Sequence, residues 1–195
     1  MQRLLILCAA LFAALLLASC ATLSREQCEA GDWRSIGFGD GADGRPADRI
    51  SSHVEACSEF GIPVDNALYQ SGRTEGLRVY CRLNNAERQG RAGERYYGVC
   101  QGDLGVAFAR VHDAGRDVFN LEAELNSLDS DIDSKLAELR RSDLTAEEIA
   151  TLTRELTFLQ SDRRRLESRV RSADQNLALV RRQEESRLNQ AGISY

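Results

Sequence analysis

The chain has 195 residues, with 30 acidic and 25 basic side chains and a formal net charge of −5. That surplus of acid argues against nucleic acid as a partner, because a nucleic-acid surface needs a basic footprint. Lys135 is the one lysine and the other basic residues are arginines, which suit planar pairing with carboxylates and phosphates.

Met1-Gln2-Arg3 is a short positive start, and Leu4 to Ala18 is an uninterrupted apolar run of 15 residues. Its length fits the h-region of a secretory signal and falls short of the about 20 residues that a membrane span needs. Leu17-Ala18-Ser19-Cys20 closes the run and resembles the lipobox of bacterial lipoprotein signal peptides. The resemblance implies that residues 1–19 are removed as a signal peptide and that Cys20 becomes the lipidated first residue. Ala21 after it, rather than an aspartate, implies the periplasmic face of the outer membrane. Ordinary secretion is the competing reading, since the small residues Ala18, Ser19 and Ala21 also suit a cut without lipid. Under the lipoprotein reading residues 20–27 are a lipid-anchored linker, and Ala21 to Gln27 reaches at most about 25 Å. The processed chain keeps 24 basic and 30 acidic residues, a net charge of −6.

Four cysteines then remain, Cys28, Cys57, Cys81 and Cys100. An even number in an oxidising compartment reads as two disulfides, and four cysteines allow three pairings. Sequential pairing is the preferred one, because each bridge then closes one local segment. A metal site is not expected: there is no Cys-x-x-Cys, and His53 and His112 are the only histidines.

Residues 28–101 hold these cysteines, both prolines, Trp33 and all but one of the tyrosines, whereas the chain from about 103 onward is rich in Leu, Glu, Arg, Asp and Ala. The composition therefore places a boundary near Gln101-Gly102, ahead of which stands a small cysteine-containing domain of the size that often needs staples. Pro46 can open a helix carrying Ile50, Val54, Cys57 and Phe60 at helical spacing until Gly61 stops it. A second helix is expected after Asp65, carrying Leu68, Gly72, Gly76, Val79 and Tyr80. Glycine inside a helix costs up to about 1 kcal/mol, so Gly72 and Gly76 predict close approach by another backbone or an aromatic ring. Trp33-x3-Gly37-x2-Asp40-Gly41 echoes Leu68-x3-Gly72-x2-Glu75-Gly76 at an offset of 35 residues. Two copies fall short of a solenoid, and the echo reads either as a duplicated segment or as coincidence in a glycine-rich chain.

Cys28-x4-Trp33-x2-Ile36-Gly37-x2-Asp40-Gly41-x2-Gly44, Cys57, Asp65-x3-Tyr69-x2-Gly72-x3-Gly76-Leu77-x2-Tyr80-Cys81 and Gly90-x2-Gly93-x2-Tyr96-x2-Val99-Cys100 stand in this order. Together they resemble the bacterial domain-of-unknown-function 2799 family over about residues 28–105. The resemblance brings no reaction, ligand or catalytic residue. It implies a small cell-envelope protein, often a lipoprotein.

From Leu104 the apolar residues Phe108, Val111, Val118, Leu121, Leu125, Leu128, Ile132 and Leu139 fall mostly at alternating steps of three and four, a coiled-coil seam. Gly115 occupies one seam position and could kink the helix. A second seam runs from Ile149 through Leu152, Leu156, Leu159, Leu166, Val170, Ala173 and Leu177 to Val180, interrupted by Arg163. Thr145-x-x-Glu148 is a capping box, which predicts helices over about 103–141 and 146–189 with a turn at Ser142 to Leu144. Residues 117–148 hold 3 basic and 10 acidic residues, and residues 149–187 hold 9 and 6. Opposite charges favour folding the two helices back as a hairpin, the preferred reading, although each exposed pair adds only about 0 to 1 kcal/mol; the competing reading is one long helix dimerising with a second chain, and the same charges would favour an antiparallel partner. The run Arg163-Arg164-Arg165 is interleaved with acids and reads as a solvated face. The expected architecture is mainly α, a disulfide-stapled helical domain followed by a coiled-coil hairpin over residues 103–190.

Three functions compete. A non-enzymatic envelope lipoprotein would use its helices, about 58 Å long for 39 residues, to engage a protein partner or a second copy. A periplasmic ligand-binding module would line an aromatic surface for glycan or peptidoglycan fragments with Trp33, Tyr69, Tyr80 and Tyr96. An enzyme could draw on Asp40, Asp43, Asp48, His53, Glu55 and Glu75, but no Gly-x-Ser-x-Gly, His-Glu-x-x-His or phosphate-cradling loop is present. His53, between Ile50 and Val54, reads as a surface residue, and no cofactor is expected.

Overall fold

The computed structural model of the chain describes residues 22–195, so the signal peptide over 1–19 and the lipidation site Cys20 lie outside the described residues. Those residues form α1 (Arg25–Ala30), α2 (Trp33–Ala42), α3 (Arg49–Ser58), α4 (Asn66–Tyr80), α5 (Leu83–Arg91), α6 (Gly102–Leu139) and α7 (Ala146–Gln190), with no strand among them. They divide into two compact units, one ending at Tyr80 and the other running from Cys81 to Tyr195. The division therefore falls ahead of the compositional boundary near Gln101. Its physical reason is α5, which turns Leu83, Ala86 and Gly90 inward and packs against α6.

In the first unit, Leu23, Cys28, Trp33, Cys57 and Tyr69 form the core, with Ile36, Ile50, Ile62 and Val64 packed on it. The disulfide Cys28–Cys57 staples α1 to α3. Residues 22–27 are not a free linker. Leu23 is buried, Thr22 is hydrogen-bonded to α3, and a Ser24–Gln27 capping box starts α1. The helices expected after Pro46 and Asp65 are present as α3 and α4. The buried face of α3, however, is His53, Ala56 and Cys57, while Val54 and Phe60 are exposed.

In the second unit, the disulfide Cys81–Cys100 joins two residues that each lie two positions ahead of a helix, α5 and α6. Gly90 of α5 meets the α6 backbone beside Gly115. The helix runs unbroken through Gly115, which is therefore a point of contact rather than a kink. The α6–α7 ion pairs Asp103–Arg187, Arg110–Glu184, Glu124–Arg169, Asp129–Arg163 and Lys135–Glu155 rise along α6 as they fall along α7. These two helices are thus an antiparallel hairpin. Thr145 caps α7, with Glu148 returning a bond to the Thr145 amide. Phe108, Val111, Val118, Leu177 and Leu188 are fully buried near the open end of the hairpin. Toward the turn, Leu121, Leu125, Leu128, Leu152, Leu156 and Leu159 are only half buried, because a third helix is lacking there.

Candidate functional site

The 35-residue echo acquires a physical meaning in the crossing of α2 and α4. A Cβ on Gly37 would overlap the Tyr69 carbonyl, and one on Gly72 would overlap the Arg34 carbonyl. Gly41 and Gly76 stand likewise against the carbonyls of Arg73 and Phe38. Each residue of one helix meets the counterpart, 35 positions away, of what the other helix meets. Positions rise together along both helices, so they cross in parallel, related by a local pseudo-twofold. The small-xxx-small spacing is what lets two helix backbones approach this closely.

The acids of the two copies repeat the pattern. Glu75 reaches Arg34 at 2.6 Å in the open, whereas Asp40 Oδ2 accepts the Tyr69 hydroxyl at 2.7 Å inside the unit. Tyr69 is 0% exposed, and its position matches that of Arg34 in the echo. The buried half of the pair recruits a third group. His53, at 2% exposure, sets Nε2 2.8 Å from Asp40 Oδ2 and Nδ1 2.8 Å from the Thr22 hydroxyl. That hydroxyl also lies 3.0 Å from the Ser52 carbonyl. Sequence reasoning placed His53 on the surface. The structure corrects this, because the Cys57 bridge and the Asp40 hydrogen bond rotate α3 so that the imidazole faces inward.

Ionised Asp40 is an acceptor only, so Nε2 carries a proton. The single Thr22 hydroxyl proton lies between two acceptor positions, Nδ1 of the ring and the Ser52 carbonyl. Burial pushes the Asp40 pKa up, but the hydrogen bonds from His53 and Tyr69 outweigh it and hold the carboxyl below its ordinary value. Burial, reinforced by the bond to Asp40, raises the Tyr69 pKa. Hydroxyl, imidazole and carboxylate stand in the order that nucleophilic sites use. Here the imidazole is sealed, and the chain of bonds ties residue 22 to α3 and α2.

The aromatic residues do not form one surface. Trp33, Tyr69 and Tyr80 are buried in the first unit, Tyr80 with its ring against Gly44. Tyr96 belongs to the second unit, where its ring packs 4.6 Å from Phe108 and its hydroxyl accepts the Cys100 amide. A glycan surface built from these four rings is therefore not what the chain presents, for the usual reason that rings in a small domain are core. All four cysteines are consumed in the sequential bridges. Among the described residues, no group of three His, Cys, Asp or Glu side chains could hold a metal ion, and no helix is long and apolar enough to cross a membrane.

Sequence reasoning also missed Arg73 and Glu184, both buried. Glu184 accepts from Arg110 at 2.7 Å and from Arg187 at 2.8 Å. Burial raises its pKa, and the two arginines more than reverse that. A charged residue four positions after the seam residue Val180 was the available signal, since that spacing puts it on the inward stripe.

No curated protein and no solved structure matches the chain. Residues 32–117, which span the glycine crossing, Asp40, His53 and Tyr69 but not Thr22, the second disulfide and the first turns of α6, match the family described as protein of unknown function (DUF2799).

Proposed function

We propose that this is a non-enzymatic lipoprotein of the bacterial cell envelope, held at the periplasmic face of the outer membrane by lipid on Cys20, and that its hairpin binds a protein partner or a second copy. The observation that carries the reading is the half-buried seam toward the hairpin turn. Phe158, next to the seam residue Leu159 but not part of the seam, is 69% exposed. A groove beside the seam is lined by Glu124, Leu128, Asp131, Arg165, Leu166 and Arg169, charges of both signs around apolar floor. Apolar area left open on a two-helix structure is what another helix covers in bundles. The lipobox resemblance supports the anchor. Thr22 and Leu23 support it further, because their hold on α3 and the core leaves only Ala21 between a lipid on Cys20 and the folded unit.

The test is made in cells. Palmitate labelling and membrane fractionation of wild type and Cys20→Ser check the anchor, which fails if the serine variant remains membrane-bound and the wild type takes no label. A photocrosslinker at Gln160 checks the hairpin, with one at exposed Gln190 as control. A discrete protein adduct specific to Gln160 is expected. Lipid adducts alone would end the interaction reading while leaving the anchor standing.

A further inference from the structure

The groove beside the hairpin seam has two walls of unlike charge. On α6, Asp117, Glu124 and Asp131 recur every seventh residue and so share one stripe, and the last two line the groove. Glu124 pairs with Arg169 of α7, whereas the exposed Asp117 and Asp131 enter no ion pair among the described residues. On α7, Arg165 and Arg169 line the opposite wall, and Arg165 turns to Asp162 of its own helix. Leu128, half buried, and Leu166, buried, lie between the walls.

Phe158 belongs to the same side of α7. It stands one heptad before the groove residue Arg165, so its exposed ring projects from the arginine wall. The pairs Asp129–Arg163 and Lys135–Glu155 bracket it in height, and between them on α6 stands Ser134, one heptad after the groove residue Ser127. One helix thus offers an aromatic knob, and the other offers small side chains at the same level. A second copy of the chain presents both. Turned about a twofold axis parallel to the hairpin, it sets its α7 along the first α6 and its α6 along the first α7. Both contacts are antiparallel, and both repeat the acid-to-arginine matching that the hairpin already uses within itself. An axis across the helices would instead set α6 on α6, acid against acid.

We propose that this flank of the hairpin is a homodimer interface, in which α6 of each copy packs along α7 of the other and Phe158 seats beside Ser127 and Ser134 of the opposite chain. The assignment rests on the reading of the hairpin as an interaction element and names its partner as a second copy. The leucines toward the turn, half buried in one chain, become the core of a four-helix bundle. Asp131 then faces the arginine wall of the other copy, which supplies the opposite charge that its own chain does not. A surface complementary to itself closes at two copies, since the twofold leaves no second wall open.

The chain from residue 20 onward, with Cys20→Ser and both disulfides formed, is followed by sedimentation equilibrium over a range of concentrations. A reversible monomer–dimer equilibrium is expected. Phe158→Asp, at an exposed position, should raise the dissociation constant by about tenfold or more. Asp131→Arg and Arg165→Asp should each weaken the dimer, because each sets like charges across both contacts. An equal mixture of these two variants should associate as wild type does, since every contact between them then joins opposite charges. The repulsion within each chain persists in the mixture, so recovery reports the contact between copies rather than a change in folding. A chain that stays monomeric at every concentration overturns the dimer. If Gln160 still captures another protein in cells, the interaction reading of the hairpin survives that failure, whereas lipid adducts alone end both. A dimer unchanged by Phe158→Asp, tightened by Asp131→Arg, or no stronger in the mixture than in the single variants overturns this interface.

Discussion

In the first unit two helices meet backbone to backbone, and in the hairpin two helices meet through side chains. Gly37, Gly41, Gly72 and Gly76 let α2 and α4 approach until carbonyls stand where Cβ atoms would be. In the hairpin, by contrast, leucines keep the axes apart and arginine–carboxylate pairs span the outside. The difference decides where each structure is fragile. A backbone crossing has no slack, since main-chain atoms cannot rotate aside as a side chain can. A leucine seam with half-buried knobs relaxes around a change, and its surface ion pairs each contribute little.

The sharpest way to break this contrast is Gly72→Val. Its Cβ would collide with the Arg34 carbonyl, so the helices must part, and overpacking of this kind costs about 3 kcal/mol or more. Gly39→Ala, on α2 but exposed and with nothing near its Cβ, should instead gain up to about 1 kcal/mol of helix stability. Urea unfolding of the two variants reads both signs. Equal effects would mean that the crossing is looser than described.

A smaller effect is expected at Asp40. Asp40→Asn leaves the buried His53 and Tyr69 donors facing a weaker acceptor and should cost about 1–3 kcal/mol near neutral pH. The folded-state pKa of Asp40 is lowered, so its stabilisation is present above the ordinary carboxylate range and is lost as pH falls through that lowered value. The gap between wild type and Asp40→Asn should therefore close below about pH 4. Thermal melts across pH 2–7 would expose an error if the gap stayed constant or widened in acid.

The same contrast governs what could be read from the sequence. Local signals gave α3 and α4 through Pro46, Gly61 and Asp65, and gave the hairpin turn through the Thr145–Glu148 capping box. Periodicity gave both seams, because side-chain packing follows the helical repeat. The sequence did not reveal α2 as a helix, since Trp33–Ala42 holds three glycines and its stability comes from a crossing with residues about 35 positions away. His53 was misplaced for a related reason. The face that α3 buries is chosen by Cys28 and Asp40, not by its own apolar spacing. The division at Tyr80 was hidden because composition changes at residue 101, whereas packing changes where α5 turns its small residues to α6.

The hairpin itself holds one exception to the rule that its ion pairs are weak, and comparing two glutamates tests it. Glu184 has a side chain only 5% exposed and bridges Arg110 and Arg187, while Glu124 pairs with Arg169 at 3.5 Å with both side chains more than half exposed. Glu184→Gln takes the charge from a desolvated acceptor that two guanidiniums already surround, and should cost about 1–3 kcal/mol. Glu124→Gln should cost under about 0.5 kcal/mol and lose even that in 1 M salt, where the Debye length falls to about 3 Å. Burial, rather than the presence of an arginine, is the variable that separates them. If both variants lose the same stability and respond alike to salt, the region around Glu184 is wetter than its packing against α6 implies, and the hairpin behaves as one uniformly solvated seam.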